Sequence, residues 1–324
     1  MEVFPLGIDI SKAKFDVALL RDDGKLRHKV SPNTEAGFQQ LSAWLSKHQV
    51  FSLHACMEAT GTYAEALALY LYQAGHRVSV VNPAIIKAFA KTELSRTKTD
   101  KRDASLIARY CFQHHPPAWA PPPPEISELQ SLLRRLESLL DMRQQETNRL
   151  EACINASSVK KSVTDHIAYL DDQIVHTQSL IKDHIDQNPL LRQQRDLLSS
   201  IPGIGDLTAA KFLAEIIDIK QYSSARQVAA FAGLVPRHHQ SGTSVRGKPR
   251  MCKVGAGRLR KALYFPAIVA THHNPAIKAM SQRLRERGKC PMQIIGAAMR
   301  KLIHIAYGVL KSGKPFDPHY GKTA

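Results

Sequence analysis

Apolar and polar positions follow a short period over the first thirty residues. Pro5-Leu6-Gly7-Ile8-Asp9-Ile10-Ser11 is a buried run. Phe15 to Leu20 is a second and Leu26 to Val30 a third, with a turn at Asp22-Asp23-Gly24 between them. This predicts an antiparallel meander of three strands. The period then lengthens. Asn33-Thr34-Glu35-Ala36 caps a helix through about His48, with Phe38, Leu41, Trp44 and Leu45 on one face. A strand over 52–59, a helix from Thr62 to Ala74 and a strand over 77–82 follow. A helix starts at Pro83, and another covers Asp100 to His114.

Pro116 to Pro124 is a stiff linker of extended polyproline type. Beyond it the pattern is helical for about 65 residues. Ile126, Leu129, Leu133, Leu136, Leu140, Leu150 and Ile154 fall on three-four spacing, interrupted at Arg143 and Thr147. Val163, Ile167, Leu170, Ile174 and Ile181 form a second run. These are the seams of a coiled coil or helical hairpin with its tip at Asn155-Ala156-Ser157-Ser158. Two amphipathic helices packed on a core would give the same seams. Three domains are expected: 1–120, a mixed α/β domain; 121–188, the helical hairpin; and 189–324, a mainly helical basic domain.

Charge narrows the function. The 324 residues carry 45 Lys and Arg against 28 Asp and Glu, a net +17. No acidic residue lies between Asp218 and Glu286, a stretch with thirteen Lys and Arg. Eight of these cluster: Arg237, Arg246, Lys248, Arg250, Lys253, Arg258, Arg260 and Lys261. A solvated cationic face accounts for two or three of them; the whole set points to nucleic-acid phosphate. There is no secretory signal at the start and no apolar stretch of about 18 residues, so neither secretion nor a membrane span is expected. Five scattered cysteines without a CxxC pair read as free thiols of a cytoplasmic protein.

Three antiparallel strands followed by β-α-β-α units is the ribonuclease-H-like order, a mixed sheet with helices on both faces. In that order the first and fourth strands are neighbours. Asp9 sits inside the first strand, where a charge is costly unless paired or metal-bound. Glu58 ends the fourth. Asp100 and Asp103, three apart, share a helical face. Four converging carboxylates repel unless divalent cations neutralise them, and hard oxygen donors select Mg²⁺ or Mn²⁺. Taken singly, Asp100 and Asp103 could cap a helix or pair with Lys98, Lys101 and Arg102, and Glu58 could be a helix N-terminal acid; Asp9 is harder to dismiss.

The motifs Gly7-Ile8-Asp9-Ile10-Ser11, Glu58-Ala59-Thr60-Gly61-Thr62-Tyr63, Val81-Asn82-Pro83 and Lys98-Thr99-Asp100-Lys101-Arg102-Asp103-Ala104 come in this order. Ile201-Pro202-Gly203-Ile204-Gly205, Phe231-Ala232-Gly233-Leu234-Val235-Pro236 and Gln240-Ser241-Gly242 follow. Together they resemble the DEDD-type insertion-sequence transposases of the IS-one-ten family, whose N-terminal domain is similar to Holliday-junction resolvases. The resemblance spans nearly the whole chain. It implies a tetrad of Asp9, Glu58, Asp100 and Asp103 that holds Mg²⁺, and Ser241 as nucleophile. It further implies a structured bridge RNA that pairs with donor and target DNA, and a tetramer, a dimer of dimers, at the nucleoid.

The residues around Ser241 do not by themselves single it out. It lies in a polar loop between Arg237 and Arg246, and Ser244 is an equal rival. His238-His239 lacks a third ligand spaced for zinc. Ile201 to Ala209 is similar to a helix-hairpin-helix turn, though a plain helical turn fits too. The resulting expectation is an RNA-guided recombinase acting through a phosphoserine link to DNA. Its rivals are a hydrolytic metal-dependent junction resolvase or nuclease, and a nucleic-acid-binding scaffold without chemistry.

Overall fold

The computed structural model describes residues 3–59, 61–93, 99–152, 157–241 and 245–319; for 238–241, 245, 246, 248 and 249 the description is of backbone alone. The chain divides into two compact units, Met1–Pro121 and Pro122–Ala324.

The first unit is built on a five-stranded sheet. Its strands are β1 (Phe4–Ile10), β2 (Lys14–Leu20), β3 (Leu26–Pro32), β4 (Leu53–Glu58) and β5 (Arg77–Val81), in the order β3-β2-β1-β4-β5. The meander is antiparallel, whereas β1, β4 and β5 run parallel. The helices are α1 (Glu35–Lys47), α2 (Glu65–Gln73), α3 (Pro83–Thr92) and α4 (Asp100–His114). Thr34 caps α1 through Gly37 N, as its sequence predicts. The predicted helix from Thr62 opens instead as a 3-10 turn, Gly61–Ala64, before α2.

Alternation along the strands sorts the two faces. Leu6, Ile8, Phe15 and Val17 join Phe38, Leu41, Leu67 and Leu71 in one core with α1 and α2. Gly7 and Ala18, opposite each other in the ladder, face α4. A Cβ on Gly7 would run into the Ala104 carbonyl oxygen and the Ala108 nitrogen. Glycine is therefore what lets α4 lie directly on β1.

The second unit is helical apart from one hairpin. Two long helices, α5 (Pro124–Ala152) and α6 (Ser157–Gln187), lead into α7 (Pro189–Ser199), α8 (Asp206–Glu215) and α9 (Ala225–Phe231). Strands β6 (Pro236–Ser241) and β7 (Val245–Met251) pair antiparallel. Then come α10 (Gly257–Ala262), α11 (Tyr264–His273), α12 (Pro275–Glu286) and α13 (Pro291–Ser312). The apolar side of α13, with Ala298, Leu302, Ile303 and Ala306 fully buried, is central to the core. The turn between α7 and α8 carries Gly203 at φ 106°, so tight against α11 that its Cβ would stand 2.8 Å from the Pro266 carbonyl oxygen.

α5 and α6 pair antiparallel along their length. His184 meets the Glu125 carbonyl at 2.7 Å, Arg143 pairs with Asp171, and Glu146 accepts from Arg149 and faces His166. The seam departs from the expected one in two places. Leu139 is buried, and Leu140 is 38% exposed. The buried run of α5 thus steps by three residues from Leu136 to Leu139, where a heptad seam would step by four. Thr177 also sits buried in α6, its hydroxyl donating to the Gln173 carbonyl at 2.7 Å. Of the expected tip, Ser157 and Ser158 already belong to α6, while residues 155 and 156, with Ile154, lie outside the described residues.

Gly7→Ala is expected to destabilise the first unit by about 1–3 kcal/mol or more, because backbone atoms cannot step aside. Gly308→Ala, in open space on α13, is expected to stabilise by about 0.5–1 kcal/mol. Thermal melts followed by circular dichroism check both signs.

Candidate active site

The sheet brings the acids of the first unit to one end of one face. Asp9 lies two residues beyond Gly7 and so shares its face. Glu58 lies two beyond Cys56, which is the ladder partner of Gly7 in β4. Both are half-buried. The helix above this face is α4, and its first turn contributes Asp100 and Asp103. Thr99 caps that turn, its hydroxyl accepting from Arg102 N at 3.3 Å. The positive end of the helix dipole favours carboxylates there.

A fifth acid belongs to the group. Asp16 is the ladder partner of Asp9 and is only 8% exposed. The Lys14 ammonium bridges Asp16 at 3.1 Å and Asp100 at 2.8 Å, joining the sheet to α4. Its hydrogen bond to Asp100, then that to Asp16, holds the Lys14 pKa above the ordinary lysine value. Sequence reasoning passed over both residues. The signal was present in Phe15-Asp16-Val17, an acid inside an apolar strand like Asp9. Among the described residues no three His, Cys, Asp or Glu side chains stand arranged as a metal cage.

In the second unit Ser241 is the last residue of β6, opposite Val245. It therefore belongs to a strand, where the sequence reading had a loop. Gly242, Thr243 and its rival Ser244 lie outside the described residues. Arg237 and Arg250 stand directly opposite each other across the ladder, both exposed. Like charges facing across a strand pair destabilise it unless an anion lies between them. Gln240 pairs with Arg246 by backbone.

The remaining cations divide. Lys253 and Lys261 are exposed. Arg260 is half-buried and donates to the Ala232 carbonyl at 3.0 Å, holding the end of α9. That contact passes Gly233 at φ 68°, where a Cβ would be 2.6 Å from the Arg260 Nη1. Arg258 reaches Glu137 of α5 at 3.5 Å. The acid-free stretch is thus opposed here by a carboxylate about 120 residues earlier, which local sequence could not reveal.

Comparison with known proteins shows the family. Residues 6–158 match a DEDD-type family profile described as "Transposase". Residues 195–282 match one described as "Transposase IS116/IS110/IS902 family". A pilin gene-inverting protein of Moraxella bovis is 38% identical over 315 residues, covering 96% of this chain and 97% of that protein. The chain belongs to the IS110 transposase family. The transposase for insertion sequence element IS1328 of Yersinia enterocolitica is 26% identical across 96% of this chain and 98% of that protein. A transposase or recombinase of this family is a DNA-processing enzyme. No helix among the described residues is long and apolar enough to cross a membrane.

This IS110 transposase also holds a charged cavity of about 260 Å³ in its second unit, lined by Arg134, Glu137, Lys211, Glu215 and Arg258. Burial raises the pKa of Glu215 above the ordinary carboxylate range and lowers that of Lys211. A raised acid binds its proton more tightly in the folded state. Stability linked to it is intact below the ordinary carboxylate range and is lost as pH rises through the folded value. Glu215→Gln is therefore expected to raise the thermal midpoint at neutral pH and leave it unchanged near pH 4. Melts across that range check it.

Proposed function

We propose that the chain is an RNA-guided DNA recombinase that cuts and rejoins strands through a covalent phosphoserine link. The observation that carries this reading is the gathering of Asp9, Asp16, Glu58, Asp100 and Asp103 at one end of the β1–β4 face. The strand order, with β1 flanked by antiparallel β2 and parallel β4, supports a ribonuclease-H-like identity for the first unit. The carboxylates Asp9, Glu58, Asp100 and Asp103 fit Mg²⁺ or Mn²⁺ by donor type, all being hard oxygens. The Lys14 ammonium between Asp16 and Asp100 already supplies positive charge at that end. A bound divalent ion would polarise the scissile phosphodiester and offset the charge that develops on it.

The chain's own groups do the rest. Exposed Arg237 and Arg250 hold backbone phosphate beneath the end of the hairpin. Ser241 Oγ attacks phosphorus, a new O–P bond forms, and the P–O bond to a deoxyribose oxygen breaks. The serine proton passes to a base and the departing deoxyribose oxygen takes up one in turn. Reverse attack by the hydroxyl of the partner strand releases the serine. One phosphodiester is exchanged for another, so no nucleotide cofactor is consumed. Two relatives are named for inverting a pilin gene. An inversion rejoins every end it makes, which supports exchange over hydrolysis. In this reading a bridge RNA selects donor and target DNA. The α5–α6 hairpin acts as a coiled-coil module of its own, joining subunits into a dimer of dimers.

The deciding experiment expresses the protein with its flanking DNA and RNA and denatures it in SDS. DNA attached to wild type and lost in Ser241→Ala is expected, with nucleic-acid binding retained. Asp9→Asn is expected to abolish the adduct as well. Nicks without adduct would establish the hydrolytic nuclease, and recombination by Ser241→Ala would refute the nucleophile. A separate readout tests the metal. Lys14→Met removes a competing cation, so Mg²⁺ should raise the thermal midpoint of the variant more than that of wild type. An equal rise in both would detach Lys14 from the metal site.

A further inference from the structure

We propose that an apolar pocket between α10, α11 and α13 takes one unstacked base of the DNA strand being exchanged; this deepens the function proposed above and rests on it for the identity of the strand. The pocket has a volume of about 490 Å³. Met251 closes one side, Tyr264 and Phe265 another, and Met292, Ile295 and Met299 of α13 the third. Phe265 is 74% exposed and Met292 61% exposed. Single exposed apolar residues are ordinary, but a pair over one cavity marks a binding surface. Tyr264 donates to the Met292 sulfur at 3.8 Å and fixes that thioether beside the rings. Aromatic faces and polarisable sulfur suit a flat π system.

Charge selects the occupant. The charged residues in the lining are Arg260 and Lys261, with no carboxylate among them. The whole chain is +17, so a second copy would bring like charge to the same rim. An occupant with a flat apolar body and a negative tail is a nucleotide. The position agrees. Met251 is the last residue of β7, and its methyl group occupies the space that a Cβ on Gly296 would need. One ladder position away stand the facing Arg237 and Arg250. A strand laid along the hairpin would rest a phosphate on that pair and turn the next base into the pocket.

Ser241 lies five ladder residues from Pro236, the partner of Met251. At about 3.4 Å per residue that is roughly 17 Å. At about 3.4 Å per stacked nucleotide it corresponds to some five nucleotides. The unstacked base should therefore fall about five nucleotides from the phosphate that Ser241 attacks.

Stacking and phosphate contact respond differently to salt, which makes the test sharp. Single-stranded DNA is titrated into the full-length protein at several salt concentrations. Phe265→Ala is expected to weaken binding about ten-fold at each concentration and leave the slope of log K against log salt unchanged. Phe265→Trp is expected to retain affinity. Lys261→Gln is expected to reduce the slope by about one. Because Phe265 is mostly exposed, these changes spare the fold. An oligonucleotide carrying 5-iodouracil about five positions from the exchange point should photo-crosslink to Tyr264 or Phe265. Wild-type affinity in Phe265→Ala, or crosslinks at this pocket to RNA or a second subunit instead of DNA, would overturn the proposal. Ser241→Ala leaves all these readouts in place. Failure of the covalent mechanism and failure of the pocket are therefore separable.

Discussion

The first unit depends on a side chain that is not there. Because residue 7 is glycine, α4 rests its backbone on β1. That contact sets the two helix acids of the candidate site over the strand acids. Asp9 and Glu58 sit two residues further along their strands, on the side that α4 covers. Asp103 and Asp100 sit one and four residues before Ala104, the point where α4 touches the sheet. A larger residue at position 7 would push the helix outward and carry two of the carboxylates with it. Packing and chemistry are here a single constraint. The apolar cost of leaving so thin an interface is offset on the opposite face, where Leu6, Ile8 and Phe15 are fully buried.

Much of this unit was legible in the sequence because each signal was local. Period-2 runs mark the strands, Thr34, Asn82 and Thr99 cap helices where their side chains accept backbone hydrogen bonds, and strand order follows from the β-α-β connections. Asp9 could be picked out as a candidate because it stands out in an apolar strand. Asp16 carries the same signal one strand later. What promotes it is the ladder register with Asp9, a non-local fact.

The hairpin of the second unit was not legible. Pro236 to Met251 has proline, glycine and successive cations in place of apolar alternation. Its ladder is held by backbone hydrogen bonds and by an anchor at Met251, neither of which leaves a pattern. The same holds for Arg258, whose partner Glu137 belongs to a helix far away in the chain. An acid-free stretch of sequence is therefore not an acid-free surface. Among the described cations, Arg260 is drawn inward and Arg258 meets a carboxylate, whereas Arg237, Arg250, Lys253 and Lys261 are exposed.

The antiparallel pairing of α5 and α6 bears on how the chain can vary in length. Its cross-links, Glu125 with His184, Arg143 with Asp171 and Glu146 with His166, all depend on one alignment. Inserting a single residue in either helix turns everything beyond it by about 100° and shifts it by about 1.5 Å. Charged partners would then face solvent and apolar side chains would face charge. Additions within the helices are tolerable only in compensating sets that restore the turn. Relatives of different length should therefore differ outside α5 and α6 first.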